Sequence, residues 1–226
     1  MNFKILLVFA TPSEADILKR ISGVYPWGEG YRFANIELTV LTTGVGGIST
    51  AWSMKQWLCN NPYPGLAINA GIAGSYSEKF KKGDVVLPVS DCFADMAIEE
   101  DNKFLTLAEA GIMNPDKFPF EDGLIKVENE YVQKTSEILR KVKAITVNTS
   151  SGTESTIKKL MSKYNPDIET MEGATFFYIC AMEKIPFLAI RAISNKVEPR
   201  NIKAWDIPLA LDKLAGAITK ILLILK

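Results

Sequence analysis

Four side chains in this sequence carry groups that could meet around one polar ligand: Glu14, Glu172, Arg191 and Asn195. Two carboxylates, a guanidinium and an amide can bind a hydroxylated molecule, take a proton from water and donate to a departing group. The chain has no histidine. That excludes Ser-His-Asp and Cys-His catalysis, His-ligated zinc and a histidine base. Acid–base chemistry therefore falls to Asp, Glu, Lys, Tyr or Cys.

The stretch IETMEGATFFYICAMEKIPFLAIRAISN, from Ile168 to Asn195, shows how such groups can converge. A helix of about 12 residues opening at Glu172 runs out roughly 18 Å. A strand of about 8 residues returns roughly 26 Å, ending near Asn195. Both ends then lie at one sheet edge. Arg191 stands inside the apolar run IPFLAIRAI and needs a partner, because a buried unpaired charge is costly. Glu14 and Glu172 are the candidates.

Each group also has a structural explanation. Thr11-Pro12-Ser13-Glu14 is a capping box with proline at the first helical position, and Ser151-Gly152-Thr153-Glu154 has the same form and reads as a cap. An acid in the first turn, as at Glu172, suits the helix dipole. Asn195 can cap a turn. The turns at Gly44, Gly46 and Gly47 and at Gly71 and Gly74 can cradle a phosphate or simply be tight. Neither is a Walker or G-x-G-x-x-G sequence.

The elements that must position these groups alternate. Strands are expected at Phe3–Ala10, Ile36–Thr42, Leu66–Asn69, Asp84–Val89, Lys143–Asn148, Ile168–Thr170 and Pro186–Ile193. Helices are expected at Pro12–Ile21, Ser49–Cys59, Asn129–Val142, Glu154–Tyr164, from about Glu172, and at Pro208–Leu225. This is the pattern of an α/β layer fold with a mostly parallel sheet. Ligands of such sheets bind beyond the strand carboxyl ends, where six of the unusual turns fall. Met96–Gly123, with two prolines and two glycines, reads as irregular: a lid or a partner-facing insertion.

The 226 residues fit one domain, 1–226, with a sizeable core. With 26 basic and 26 acidic side chains the net charge is zero, which argues against nucleic acid as partner. The longest apolar runs are too short to span a bilayer. MNFKILLVFATPSE lacks a basic leader and a cleavage site and reads as a first strand. Cys59, Cys92 and Cys180 are odd in number and have no metal-like spacing, which fits a reducing, cytoplasmic setting and no metal.

The segments KILLVFATPSEADIL, TTGVGG, NAGIAG, KKGDVVLP, ETMEGA and RAISN resemble the nucleoside phosphorylase and nucleosidase superfamily. The pattern is most similar to its methylthioadenosine/S-adenosylhomocysteine nucleosidases and futalosine hydrolases. The resemblance implies a three-layer α/β/α sandwich around a mixed, partly barrel-like sheet, no cofactor, a small-molecule nucleoside substrate, and a homo-oligomer, dimer or higher. It implies that Glu14 activates the attacking water, that Arg191 helps to position it, and that Met171 and Glu172 lie under the ribose. Gly71 and Ile72 fall among the substrate-binding positions. Ser155 and Thr156 match the strip lining the base, with Ser155 in place of a stacking phenylalanine. Asn195 stands where the adenosine-cleaving members have an aspartate that protonates N7.

An asparagine amide can donate to N7 and to an oxygen at C6 together, which suits a 6-oxopurine. The implied reaction is hydrolysis of futalosine to hypoxanthine, a step of menaquinone biosynthesis, with Arg200 or a lysine near 96–123 meeting the substrate carboxylate. Adenosine-type nucleosidase, purine nucleoside phosphorylase, non-catalytic nucleoside binding and an unrelated dinucleotide binder are the alternatives. A carboxylate in the first loop repels phosphate and favours water.

Overall fold

The computed structural model describes residues 3–101 and 103–226. In chain order the elements are β1 (Phe3–Phe9), α1 (Pro12–Ala15) continuing as a 3-10 segment (Asp16–Arg20), β2 (Val24–Trp27), β3 (Gly30–Phe33), β4 (Ile36–Thr42), α2 (Gly47–Asn60), β5 (Leu66–Ser75) and β6 (Val85–Asp91). There follow β7 (Ala97–Glu100), β8 (Lys103–Thr106), β9 (Ile125–Lys126), α3 (Glu130–Ser136), β10 (Arg140–Thr146), α4 (Glu154–Tyr164), β11 (Ile168–Thr170), α5 (Gly173–Met182), β12 (Phe187–Lys196), a 3-10 turn (Ile202–Ala204) and α6 (Ile207–Leu225).

The main sheet runs β11-β10-β6-β12-β5-β1-β4-β3-β2, and β9 pairs with β6. Its centre is parallel: β1 pairs in parallel with β4 and β5, and β12 with β5. The edge strands β2 and β3 are antiparallel, as is the β12–β6 contact. The three-residue strand β11 pairs in parallel with β10 and antiparallel with β5. It therefore closes β5, β12, β6, β10 and β11 into a ring, the barrel-like part of the sheet. Helices α2 and α5 pack together on one side, while α6 packs on β5 and β12 and against α3. This is the expected α/β sandwich with a mixed sheet.

The core explains the order. Strand β1 is buried from Ile5 to Phe9 and reads as a near-continuous apolar run, as a strand covered on both faces must. Helix α5 is apolar all round because it sits between α2 and the sheet; Phe176 and Phe177 stack edge-on with Phe187 of β12.

Several expected boundaries move. NAGIAG is not a turn: β5 runs through it to Ser75, so Gly71 and Gly74 lie inside a strand. The helix expected at Asn129–Val142 stops at Ser136, and β10 begins at Arg140, where Val142 and Ala144 are buried and Lys143 is exposed in the alternation of a strand. Strand β12 runs on past Ile193 to Lys196, so Asn195 lies within it and caps no turn. The helix expected at Pro12–Ile21 is one α-turn followed by 3-10 geometry. Within the stretch expected to be irregular, β7 and β8 form a separate two-stranded hairpin sheet.

Candidate active site

A cavity of about 430 Å³ opens at the end of the central strands. It is lined by Thr11, Ser13 and Glu14 at the start of α1, Val45 before α2, Ile72 and Gly74 of β5, and Ser150 and Ser151 after β10. From the C-terminal half come Glu169, Met171 and Glu172 around β11, Asn195 in β12, and Trp205, Ile207 and Leu211.

Glu14 serves its capping box and the cavity at once. Thr11 Oγ1 accepts from the Glu14 N–H at 3.3 Å, while the Thr11 N–H and hydroxyl both donate to Glu14 Oε2 at 2.9 Å. The other oxygen, Oε1, accepts from the Ile72 N–H at 3.1 Å. Gly71 makes this reach feasible, because a Cβ there would stand 2.7 Å from Oε1.

Glu172 is held from the opposite side. Its Oε1 accepts from the Gly46 N–H at 2.8 Å. Gly44 and Gly46 have φ of +87° and +90°, a region that favours glycine, so this turn can aim an N–H at the carboxylate. Burial raises the Glu172 pKa; the Gly46 N–H and the Arg191 charge oppose the rise.

Arg191 is 1% exposed and does not pair with a glutamate as expected. Its Nη1 donates to the carbonyls of Asn69 at 2.9 Å and Ile190 at 3.0 Å, and its Nη2 donates to Asn69 Oδ1. Asn69 in turn donates to the Val8 carbonyl at 3.0 Å, tying β5 to β1. Burial lowers the pKa of the guanidinium, and the charges of Glu172, Glu14 and Asp91 counter it. The positive charge thus sits behind the two cavity glutamates, while no lysine or arginine is among the lining side chains. Nε of Arg191 makes no hydrogen bond to the described residues.

Asn195 is fixed at both ends of its amide. Ser194 Oγ donates to Oδ1 at 2.7 Å, and Nδ2 donates to the Lys196 carbonyl at 2.9 Å. A carbonyl only accepts, so this contact identifies the nitrogen. One N–H is therefore spent, and a single N–H remains for a ligand instead of the two expected from sequence.

Ser155, Thr156 and Arg200 are not brought to this cavity. The Thr156 N–H is capped by Thr153 Oγ1 at 3.2 Å in the first turn of α4, beside the exposed Ser155. Thr156 and Arg200 line a neighbouring cavity of about 540 Å³, which shares only Ser150 and Ser151 with the first. Ser150 and Ser151 line the first cavity instead, and Thr153, not Ser151, caps α4. Asn69 and Glu169 escaped sequence reasoning, and Ser151 was read only as a cap; a polar residue closing the apolar run of Leu66–Asn69 was the available signal for Asn69.

Among the described residues no group of three His, Cys, Asp or Glu side chains is placed to hold a metal ion, and no helix is long and apolar enough to cross a membrane. The arrangement offers carboxylates to hydroxyls or water, one amide donor, and apolar walls.

Known proteins share this architecture. A futalosine hydrolase from Acidothermus cellulolyticus is 27% identical, with 96% of this chain and 89% of that protein covered. A 5′-methylthioadenosine/S-adenosylhomocysteine nucleosidase from Buchnera aphidicola is 25% identical, covering 84% of this chain and 80% of the other. In three dimensions, the 5′-methylthioadenosine/S-adenosylhomocysteine nucleosidase of S. pneumoniae superposes with a TM-score of 0.80 at 20% identity, covering 99% of this chain and 100% of that one. A futalosine hydrolase mutant of Helicobacter pylori gives 0.78 at 16% identity, covering 97% and 98%. Residues 4–225 match the Phosphorylase superfamily, and this chain belongs to that family.

Proposed function

We propose that the substrate of this N-glycosyl hydrolase is futalosine, cleaved by water to release hypoxanthine in a step of menaquinone biosynthesis. The observation that carries this reading is the amide at position 195. Its nitrogen is turned toward the Lys196 carbonyl and its oxygen is occupied by Ser194, so what it offers the cavity is an N–H. A 6-oxopurine presents two acceptors on that edge, N7 and O6, and one N–H can be shared between them. Adenine presents an amino donor at C6, which opposes it.

In the proposed reaction Glu14 takes a proton as a water oxygen bonds to C1′. The C1′–N9 electron pair leaves with the base, the Asn195 N–H supports the charge at N7 and O6, and the proton held by Glu14 returns through solvent to the departing anion, which leaves as hypoxanthine. Glu172 accepts from the ribose hydroxyls, charge-assisted bonds worth roughly 1.5–3 kcal/mol each. Arg191 acts from behind, its charge balancing the two glutamates without entering the cavity. Water is favoured over phosphate because the lining holds Glu14, Glu169 and Glu172 and no cationic side chain. Ser155, Thr156 and Arg200 lie outside the lining of this cavity, which holds no lysine or arginine for the substrate carboxylate.

The test is to incubate the protein with futalosine, methylthioadenosine and inosine, with and without phosphate, and to measure free base. Hypoxanthine released from futalosine without phosphate is the expected result. Adenine from methylthioadenosine with futalosine untouched would sink the assignment, and phosphate-dependent cleavage would make the chain a phosphorylase. The enzyme is further proposed to act as a homo-oligomer through the exposed face of α2, to be checked by sedimentation.

A further inference from the structure

Glu169 is 6% exposed and lies on a three-residue strand of the core, yet no bond-making or bond-breaking step of the proposed chemistry uses it. Its neighbours are specific. Oε1 accepts from the Ser151 backbone N–H at 2.9 Å. Oε2 accepts from the Tyr76 hydroxyl at 2.7 Å and from Ser151 Oγ at 2.5 Å. Tyr76 and Ser151 are each 8% exposed, and Ser151 and Glu169 both line the cavity. Burial and then the Glu169 charge push the Tyr76 phenol pKa up, which keeps its hydrogen in place to donate.

Hydrogen counting then fixes what Ser151 can offer. A hydroxyl has one hydrogen and two lone pairs. The Ser151 hydrogen goes to a carboxylate oxygen, and the Tyr76 hydrogen goes to the same oxygen. The 3.1 Å hydrogen bond between the two hydroxyls can only share one of these two hydrogens and adds no third. The Ser151 backbone N–H, the other donor at this wall, is also committed to Glu169. Ser151 is left with lone pairs and no donor to present.

The sheet register places this wall opposite Asn195. Gly74 of β5 is the partner of Glu169 on β11 and of Asn195 on β12. Residues in register share a face, and strands two apart lie roughly 9.5 Å from each other. Gly74 lets the side chains of Val197 and Asn195 close over the strand; a Cβ there would meet Val197 Cγ2 at 2.8 Å and Asn195 Nδ2 at 3.2 Å. Ser151 and Asn195 both line the cavity, so the slot between them has an acceptor on one flank and a donor on the other.

We infer that Glu169 sets the base specificity by forcing the Ser151 hydroxyl to accept, so that Ser151 takes the N1–H of a 6-oxopurine while Asn195 donates to its N7 and O6 edge. The inference rests on the purine occupying this slot, as in the function proposed above. Hypoxanthine carries a hydrogen on N1; adenine carries a lone pair there, which would face the Ser151 lone pairs. Ser151 touches the base, and Glu169 and Tyr76 are positioning residues that act through it.

The experiment compares kcat and KM for futalosine and for its counterpart with adenine as the base. It uses the wild type, Ser151→Ala, Ser151→Thr and Glu169→Gln. Ser151→Ala should lower kcat/KM for futalosine by roughly tenfold, the scale of one lost hydrogen bond, mainly through KM, and raise it for the adenine counterpart, whose N1 lone pair no longer faces those of Ser151. Glu169→Gln returns a donor to this wall and should raise the adenine-to-hypoxanthine ratio; Ser151→Thr, which keeps the hydroxyl, should keep the wild-type ratio. Wild-type enzyme should also bind free hypoxanthine more tightly than 1-methylhypoxanthine by calorimetry, a measurement that no misfolded variant can obscure. Wild type that prefers the adenine counterpart would overturn the function itself. Wild type that prefers futalosine, with unchanged ratios in Ser151→Ala and Glu169→Gln, or with equal binding of the two free bases, would overturn this inference alone.

Discussion

Glu14 Oε2 takes two hydrogen bonds from Thr11 while Oε1 takes one from the Ile72 N–H. A helix cap needs only the first pair. The third bond holds the other oxygen over β5, facing the cavity, where a water must lose its proton in the proposed reaction. Glu14→Gln separates the two jobs. The amide would keep one accepting oxygen but set an NH₂ against either the Thr11 or the Ile72 N–H, at a cost on the order of 1 kcal/mol in stability. Turnover should fall by roughly 10²–10⁴-fold, the scale of a lost general base, while KM for futalosine changes little. Steady-state kinetics beside a thermal melt reads both. Near-normal kcat would reduce Glu14 to a cap.

At the scale of elements, helix α5 carries Glu172 at its N-cap and starts on a buried carboxyl. Thr146 Oγ1 donates to Asp91 Oδ1 at 2.9 Å and accepts from the Ala174 N–H at 2.7 Å, so Asp91, Thr146 and the first turn of α5 form one chain of hydrogen bonds. The Cys92 N–H also donates to Oδ1. Oδ2 has no partner among the described residues, and a Cβ on Gly173 would stand 2.1 Å from it, so only glycine lets the helix descend this far. Burial pushes the Asp91 pKa up to about 7, opposed by Thr146, Arg191 and Cys92 and reinforced by Glu172. The folded state therefore holds this proton more tightly than the unfolded chain. The contribution to stability is full below the ordinary aspartate value and is lost as pH rises through about 7. Its size is on the order of a few kcal/mol. Wild-type melting temperature should then drop between about pH 5 and about pH 8 by more than that of Asp91→Asn, which has no proton to lose. Parallel curves for the two proteins would show that Asp91 does not govern this range. Glu14 and Asn195 were legible in sequence because each follows a long apolar run, and Glu172 because it opens an apolar helix. Asp91 and Glu169 were not. Their partners Thr146 and Ser151 lie 55 and 18 residues away in sequence, and a three-residue strand such as β11 has no period to read. The glycines of NAGIAG suggested a turn, whereas they let Glu14 and Asn195 approach a continuous strand.

Across the whole molecule, the ring closed by β11 fixes the cavity floor, but one wall borders an uncovered surface. Ile48 is 85% exposed and Trp52 71%, one turn apart on α2, and Val45, 54% exposed, both joins this face and lines the cavity. Two large apolar side chains this open on one helix face mark an interaction surface more often than a solvated one. The same helix begins at the turn whose Gly46 N–H grips Glu172. A second copy seated on this face would therefore shield the cavity mouth and steady the ribose end together. We expect wild-type protein to sediment as a dimer or larger species. Trp52→Glu, which places a charge where desolvation is needed, should shift it to monomer and lower kcat/KM with an unchanged monomer fold by circular dichroism. A wild-type monomer at assay concentration, or a monomeric Trp52→Glu with full activity, would show that one chain completes its own site.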